Sequence, residues 1–230
     1  FFDYRKKESG YRDTLAREGI RARTVKCPYL QSGEVTMKQL FFVAVVFGCL
    51  AVMSGGLIFL FRGWFIAGLA GVTAVIGLSY SGGPLSLSYH GFGELVVGVL
   101  FGPFLMIGID YSACGQFDRY VVWLGIAMGM LVANVLYTHS ILDYEADIRA
   151  GKHTLATVLS EDWSRYLVSI ILTTGPCVIV YQLVLTDLVS RWYLLTLLIL
   201  PWSAELLFSI WKHLEVPYLF VKPKGFWGRS

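Results

Sequence analysis

Long runs of apolar residues without charge constrain this chain most. Residues 39–61 and 64–81 carry no Asp, Glu, Lys or Arg at all. A backbone in lipid must satisfy its own polar groups, so such a run crosses a bilayer as a helix of about 20 residues. Six candidate spans follow, at residues 38–61, 64–81, 92–112, 119–142, 165–186 and 191–211. The expected fold is all-α, a polytopic transmembrane helical bundle with six spans in one membrane-embedded domain over 1–230. Composition agrees: 56% of the 230 residues are hydrophobic and 15% charged, against about 25% charged in soluble domains. The lipid bilayer is therefore a partner. A nucleic-acid binder would show a basic face on a polar chain, and the net charge of +3 on this one gives no reason to expect nucleic acid. The cysteines are scattered, with no pair at zinc spacing. Gly55, Gly56, Gly68, Gly71 and Gly77 inside the first two spans suit close helix packing in lipid.

The basic residues sort by side. If the spans alternate, one face collects residues 1–38, 82–91, 143–165 and the tail, with 16 of the 19 Lys and Arg. Arg62, Arg119 and Arg191 fall on the other. Cytoplasmic loops are the basic ones. Both long polar segments, 1–37 and 143–165, are thus expected at the cytoplasmic face.

Chemistry concentrates in those segments. Asp143 and Asp147 stand four apart where the fourth span ends, so in a helix they share a face, with His139 one turn earlier. Two carboxylates one turn apart repel unless a cation sits between them. Mg²⁺ takes one or two carboxylates and completes its shell from phosphate and water. An ordinary solvated helix end would look the same, but Arg149 and Lys152 follow at once, where phosphate oxygens need positive charge. In the first segment Asp3 lies among Lys7, Arg23 and other basic residues. A patch attracted to anionic lipid is one reading of it. The other gives Asp3 to a second Mg²⁺ and basic residues, Lys7 and Arg23 among them, to diphosphate. Tyr89 and Glu94 lie at the start of the third span. Glu94 there either favours the helix dipole or reaches the cleft. Asn134 and His139 are polar residues inside a span, which face the bundle interior and point to function.

Together these residues resemble the UbiA-type membrane prenyltransferases, most closely the branch acting on 1,4-dihydroxy-2-naphthoate in menaquinone synthesis. "HSILDYEADIRAGKHTLATVL" resembles the second of that family's two Asp-rich motifs. "FFDYRKKESGYRD" resembles the end of the first, with Asp3 at its second acidic position. "CPYLQSGEVT" and "YSGGPLSLSYHGFGELVVGVLFGP" resemble the segments leading into later spans. His139 stands where the family often has Asn, and Cys27 where it has Arg. The resemblance implies a nine-span bundle, of which this chain is expected to be a part lacking N-terminal spans, in a bacterial or archaeal cell membrane. It implies Mg²⁺ held by Asp3, Asp143 and Asp147, with Asp143, Asp147 and Lys152 catalytic. Arg149, His139, Asn134, Tyr89, Glu94, Lys7 and Arg23 are then expected to bind an isoprenoid diphosphate or an aromatic acceptor. Two alternatives stay open: another acceptor (4-hydroxybenzoate, haem, chlorophyllide or glycerol phosphate type), or a membrane transporter that uses its acids as an ion path.

Overall fold

In the computed structural model the residues described are 36–81, 86–149, 152–159 and 161–215. Asp3, Lys7 and Arg23 lie outside them. Thr36 starts the first helix: its hydroxyl accepts from Gln39 N–H, and the Gln39 side chain accepts from Thr36 N–H. That capping box settles two of the orphan donors at a helix start. Helix α1 runs Met37–Arg62 and α2 runs Trp64–Ser81, with Gly63 at the corner in a positive-φ conformation (φ 73°). A short 3₁₀ turn, Leu87–Tyr89, leads to α3, Gly93–Val99. A π-turn, Leu100–Phe104, joins α3 to α4, Leu105–Cys114. Then come α5, Arg119–Leu142; α6, Tyr144–Arg149; α7, Leu155–Val158; and α8, Asp162–Leu185. A 3₁₀ stretch, Arg191–Ile199, runs into α9, Leu200–Glu215. No strand occurs among the described residues; one isolated bridge joins His90 and His153.

Five of these stretches are long and apolar enough to cross a membrane, and Trp64–Tyr80 is a shorter apolar helix. The six expected spans thus reappear within a few residues of their expected ends. The chain is an integral membrane protein with a helical-bundle fold. Helix α1 makes the solvent argument plainly. It is apolar all round, and none of its residues is buried among the described residues. Such a helix is stable only against lipid or other apolar helices.

Helix α5 is the centre of the bundle, packed on α3, the π-turn, α4 and α8. Its approach to α3 is set by four glycines spaced four apart in pairs, Gly98 with Gly102 and Gly125 with Gly129. A Cβ on Gly102 would lie 2.5 Å from the Gly125 carbonyl oxygen, and one on Gly125 would lie 2.6 Å from Pro103 Cα. Small residues at this spacing let helix backbones touch. Pro103 has no N–H to give, and the chain absorbs it locally. Gly102 leaves helical geometry (φ −99°, ψ −106°), and Leu105 N–H reaches back five residues to Leu100. For the glycines expected to pack, Gly55, Gly56, Gly68, Gly71 and Gly77, a Cβ would meet nothing within 4 Å among the described residues. They lie on α1 and α2, at the outside of the described bundle. The packing signal was the paired four-residue spacing on two facing helices, not glycine abundance.

The two ends of the bundle carry different polar contacts. At one end Arg62 donates from Nε to the Ser112 carbonyl (2.8 Å) and from Nη2 to the Ala113 carbonyl, a cation on the final carbonyls of α4. At the other end Gly91 N–H donates to the His153 carbonyl (2.9 Å), joining the loop before α3 to the polar segment after α5.

Replacing Gly102 or Gly125 by Ala forces backbone against backbone and is expected to destabilise the bundle by about 1–3 kcal/mol. Gly108→Ala, whose Cβ would meet Leu69 at an ordinary 3.5 Å, is the control and should melt with the parent. Thermal unfolding in detergent checks both; equal melting of all three would refute the glycine crossing.

Candidate functional site

The last turn of α5 delivers the acidic pair. Asp143 N–H donates to the His139 carbonyl (2.9 Å) and closes α5. Asp143 is also where α6 begins, because Asp147 N–H donates to the Asp143 carbonyl (2.8 Å). That four-residue bond puts both acids on one helical turn, as their spacing required. Asp143 is half-buried and Asp147 is buried, at 2% exposure. The Asp147 carbonyl then accepts from Lys152 N–H, five residues on (2.9 Å). The backbone of the basic turn is thereby fastened to the backbone of the buried acid. Arg149 closes α6; its side chain lies outside the described part.

The pair fits Mg²⁺ by its chemistry. Both donors are hard oxygens, and both sit in one turn at the end of a span. Among the described residues no group of three or more His, Cys, Asp or Glu could hold a metal by itself. Mg²⁺ asks for no such cage, since it draws most of its shell from phosphate and water.

The segment after Lys152 is held from outside. Thr154 and Thr157 cap α7 reciprocally: Thr154 N–H donates to Thr157 Oγ1 (2.8 Å) and Thr157 N–H to Thr154 Oγ1 (3.4 Å). Glu94, at 4% exposure, accepts from the Ser140 hydroxyl (2.6 Å) on α5 and from Leu155 N–H (3.4 Å to each oxygen) at the start of α7. Glu94 does stand in the first turn of α3, yet its carboxylate reaches the N-terminus of a different helix.

Arg165, on the first turn of α8, is buried at 6% exposure. Its Nε donates to the carbonyls of Ala156 (3.1 Å) and Leu159 (2.9 Å). Its Nη1 meets Asp162 (2.6 Å), and its Nη2 donates to the Tyr144 hydroxyl (2.7 Å), with the guanidinium 4.0 Å above the Tyr144 ring. The Arg165 carbonyl accepts from Tyr137, fully buried on α5 (3.0 Å), and from Ser169 (3.1 Å). In the sequence Arg165 counted only as one more basic residue at a span boundary. Its signal lay in an arginine with an aromatic neighbour set and carbonyl-rich turns, which spacing alone does not expose.

The remaining candidates divide. His139 and Tyr89 are half-buried near this end, His139 one turn before Asp143. Asn134 lies deeper, nine residues before Asp143, which is about 13.5 Å along a helix. Its side-chain amide donates to Thr173 on α8 (3.0 Å), and its buried Oδ1 has no hydrogen-bond partner among the described residues.

The chain compares directly with known proteins. The model of the UbiA prenyltransferase family matches residues 16–215. The chain belongs to the UbiA prenyltransferase family. Among its relatives is a Synechocystis 2-carboxy-1,4-naphthoquinone phytyltransferase, 29% identical over 67% of this chain and 50% of the relative. The 1,4-dihydroxy-2-naphthoate octaprenyltransferase of Mycobacterium tuberculosis is 36% identical over 45% of this chain and 35% of the relative. That of Bacillus subtilis is 26% identical over 66% and 49%. The chain spans about half, or less, of the length of these relatives. No solved structure matches. Membership in a prenyltransferase family answers the transporter alternative, and the acids at a helix end, outside the membrane-spanning runs, agree with that.

Tyr137→Phe removes one donor from the Arg165 carbonyl while Ser169 still supplies another. A loss of about 0.5–1.5 kcal/mol is expected, read as a lower melting midpoint in detergent.

Proposed function

We propose that this chain carries diphosphate-binding residues of an Mg²⁺-dependent prenyltransferase. Its donor is an isoprenoid diphosphate and its acceptor 1,4-dihydroxy-2-naphthoate, in menaquinone synthesis, with the site loops on the cytoplasmic side. One observation carries the reading: Asp143 and Asp147 share a helical turn, and the backbone of Lys152 is bonded to that of Asp147. Two carboxylates one helical turn apart, with a lysine bonded through its backbone to the second, suit a metal-bound diphosphate. The names of the naphthoate-prenylating relatives support the acceptor.

Asp143 and Asp147 hold the metal, with Asp3 as a further carboxylate. Lys152, Arg149, Lys7 and Arg23 donate to phosphate oxygens, where bidentate or charge-assisted bonds are strongest. Bound Mg²⁺ supplies neutralisation of the charge that builds on the leaving diphosphate. These side chains bind more tightly as that charge develops, which is what lowers a barrier. The prenyl C–O bond breaks, the allylic carbon becomes cationic, and an electron-rich ring carbon of the acceptor attacks it and then loses a proton. Apolar spans hold the isoprenoid tail and keep water from the cation. His139 and Tyr89 line the acceptor side, and Asn134 lies below them.

The test is full-length protein in membranes with labelled prenyl diphosphate and a panel of aromatic acceptors. Chelation should abolish transfer and Mg²⁺ restore it. Asp143→Asn and Asp147→Asn should each lower kcat/KM by about a hundredfold or more, and Lys152→Ala should raise the KM for the diphosphate. Full Mg²⁺-dependent transfer by either Asn variant would remove the site assignment. Preference for a benzoate over the naphthoate would replace the acceptor alone.

A further inference from the structure

Helix α7 has four residues, Leu155–Val158, and so short a helix does not hold itself together. Side chains of opposite charge hold its two ends. At its start Leu155 N–H donates to both Glu94 carboxylate oxygens, and Glu94 is fixed in turn by the Ser140 hydroxyl at 2.6 Å. At its end Arg165 Nε donates to the carbonyls of Ala156 and Leu159. An anion at the N-terminus and a cation at the C-terminus is the arrangement a helix dipole favours. Arg165 also reaches the acidic side. Its Nη2 binds the Tyr144 hydroxyl, and its guanidinium lies on the Tyr144 ring. Tyr144 directly follows Asp143 and opens α6, the helix that carries Asp147. One side chain therefore touches the helix of the acids and the helix that follows Lys152.

Both braces are deeply buried, Glu94 at 4% and Arg165 at 6% exposure. Burying a carboxylate and a guanidinium is a poor way to gain stability, since apolar residues of similar size often do as well. Buried polar groups of this kind can instead specify one geometry.

We propose that Glu94 and Arg165 are positioning residues of the diphosphate site. They clamp α7 from both ends, and Arg165 ties it to α6. Lys152 is thereby held against Asp143 and Asp147 before any substrate arrives. The proposal rests on the diphosphate reading above. Neither residue is assigned a contact with substrate: Glu94 acts through Leu155, and Arg165 through Tyr144, Ala156 and Leu159.

The experiment uses full-length protein in detergent, with Glu94→Gln, Arg165→Lys, Arg165→Met and the Glu94→Gln/Arg165→Lys double variant. Three quantities are read: binding of inorganic pyrophosphate with Mg²⁺ by calorimetry, the rate of trypsin cleavage after Lys152, and the melting midpoint. Supporting partners of a metal site typically contribute ten- to a hundredfold. Pyrophosphate should therefore bind about tenfold or more weakly in each single variant. Cleavage after Lys152 should speed up in both Glu94→Gln and Arg165→Lys, while the melting midpoints of the variants do not follow the order of their affinities. The double variant should lose less than the two singles predict together, because both act on the same turn. Parental affinity and cleavage in Glu94→Gln and Arg165→Lys would overturn the proposal. So would losses of affinity that track the melting midpoint across all the variants. The cleavage readout needs no ligand. A parent that binds no pyrophosphate therefore sinks the diphosphate reading, while cleavage after Lys152 still decides whether the brace exists.

Discussion

The guanidinium of Arg165 is the interaction on which this end of the molecule depends. It sits where α8 enters the bundle and is satisfied on every side: two carbonyls of the α7 turn, the Tyr144 hydroxyl and ring, and the Asp162 carboxylate. The planar fork of arginine allows this, and a lysine's single ammonium would not reach the same set. Its own carbonyl accepts from Tyr137, so the surface turns are tied to a fully buried residue of the central helix. Polar surface structure and apolar interior are here one connected object.

That connection needs a rigid interior, and lipid restricts how one is made. Burying apolar area does not drive helices together in a solvent as apolar as they are, so close backbone contact must do it. Gly98, Gly102, Gly125 and Gly129 supply the contact between α3 and α5. Glu94 rides on α3 and Ser140 on α5, so the same crossing sets the 2.6 Å bond between them. The acidic turn begins where α5 ends. Its position along the bundle is fixed by a helix that cannot slide without backbone collision.

The large features were legible because they follow from single local rules. Hydropathy alone located the spans, since a lipid-crossing helix must be apolar over its whole length. The Asp143–Asp147 spacing foretold one helical turn, because a helix repeats every 3.6 residues. What stayed hidden depended on partners far apart in sequence. Glu94 and Leu155 are 61 residues apart, and the dipole of α3 offered Glu94 a nearer explanation. Arg165 counted toward topology, though its bonds are made inward. Gly55, Gly56, Gly68, Gly71 and Gly77 stood out in the sequence, but a Cβ on any of them would meet nothing within 4 Å among the described residues. Gly98-xxx-Gly102 opposite Gly125-xxx-Gly129 was visible in the sequence to anyone comparing two spans rather than reading one.

The location of the acids follows from the proposed chemistry. Mg²⁺ sheds water reluctantly and keeps part of its hydration shell, so its carboxylates must lie where water reaches. The allylic cation has the opposite need, since water would capture it before the acceptor does. Acids in mid-span would meet the second need and fail the first; acids on a free loop would do the reverse. The end of α5 answers both. Asp143 is half-buried and Asp147 buried, so the two acids differ in exposure within one turn. Holding that difference requires that α6 not unwind into water, although it has only the six residues Tyr144–Arg149. Its first residue is gripped by Arg165, and its Asp147 carbonyl is closed by Lys152 N–H. The polar bonds at this end are therefore best understood as what keeps two short helices in place at the boundary between water and lipid.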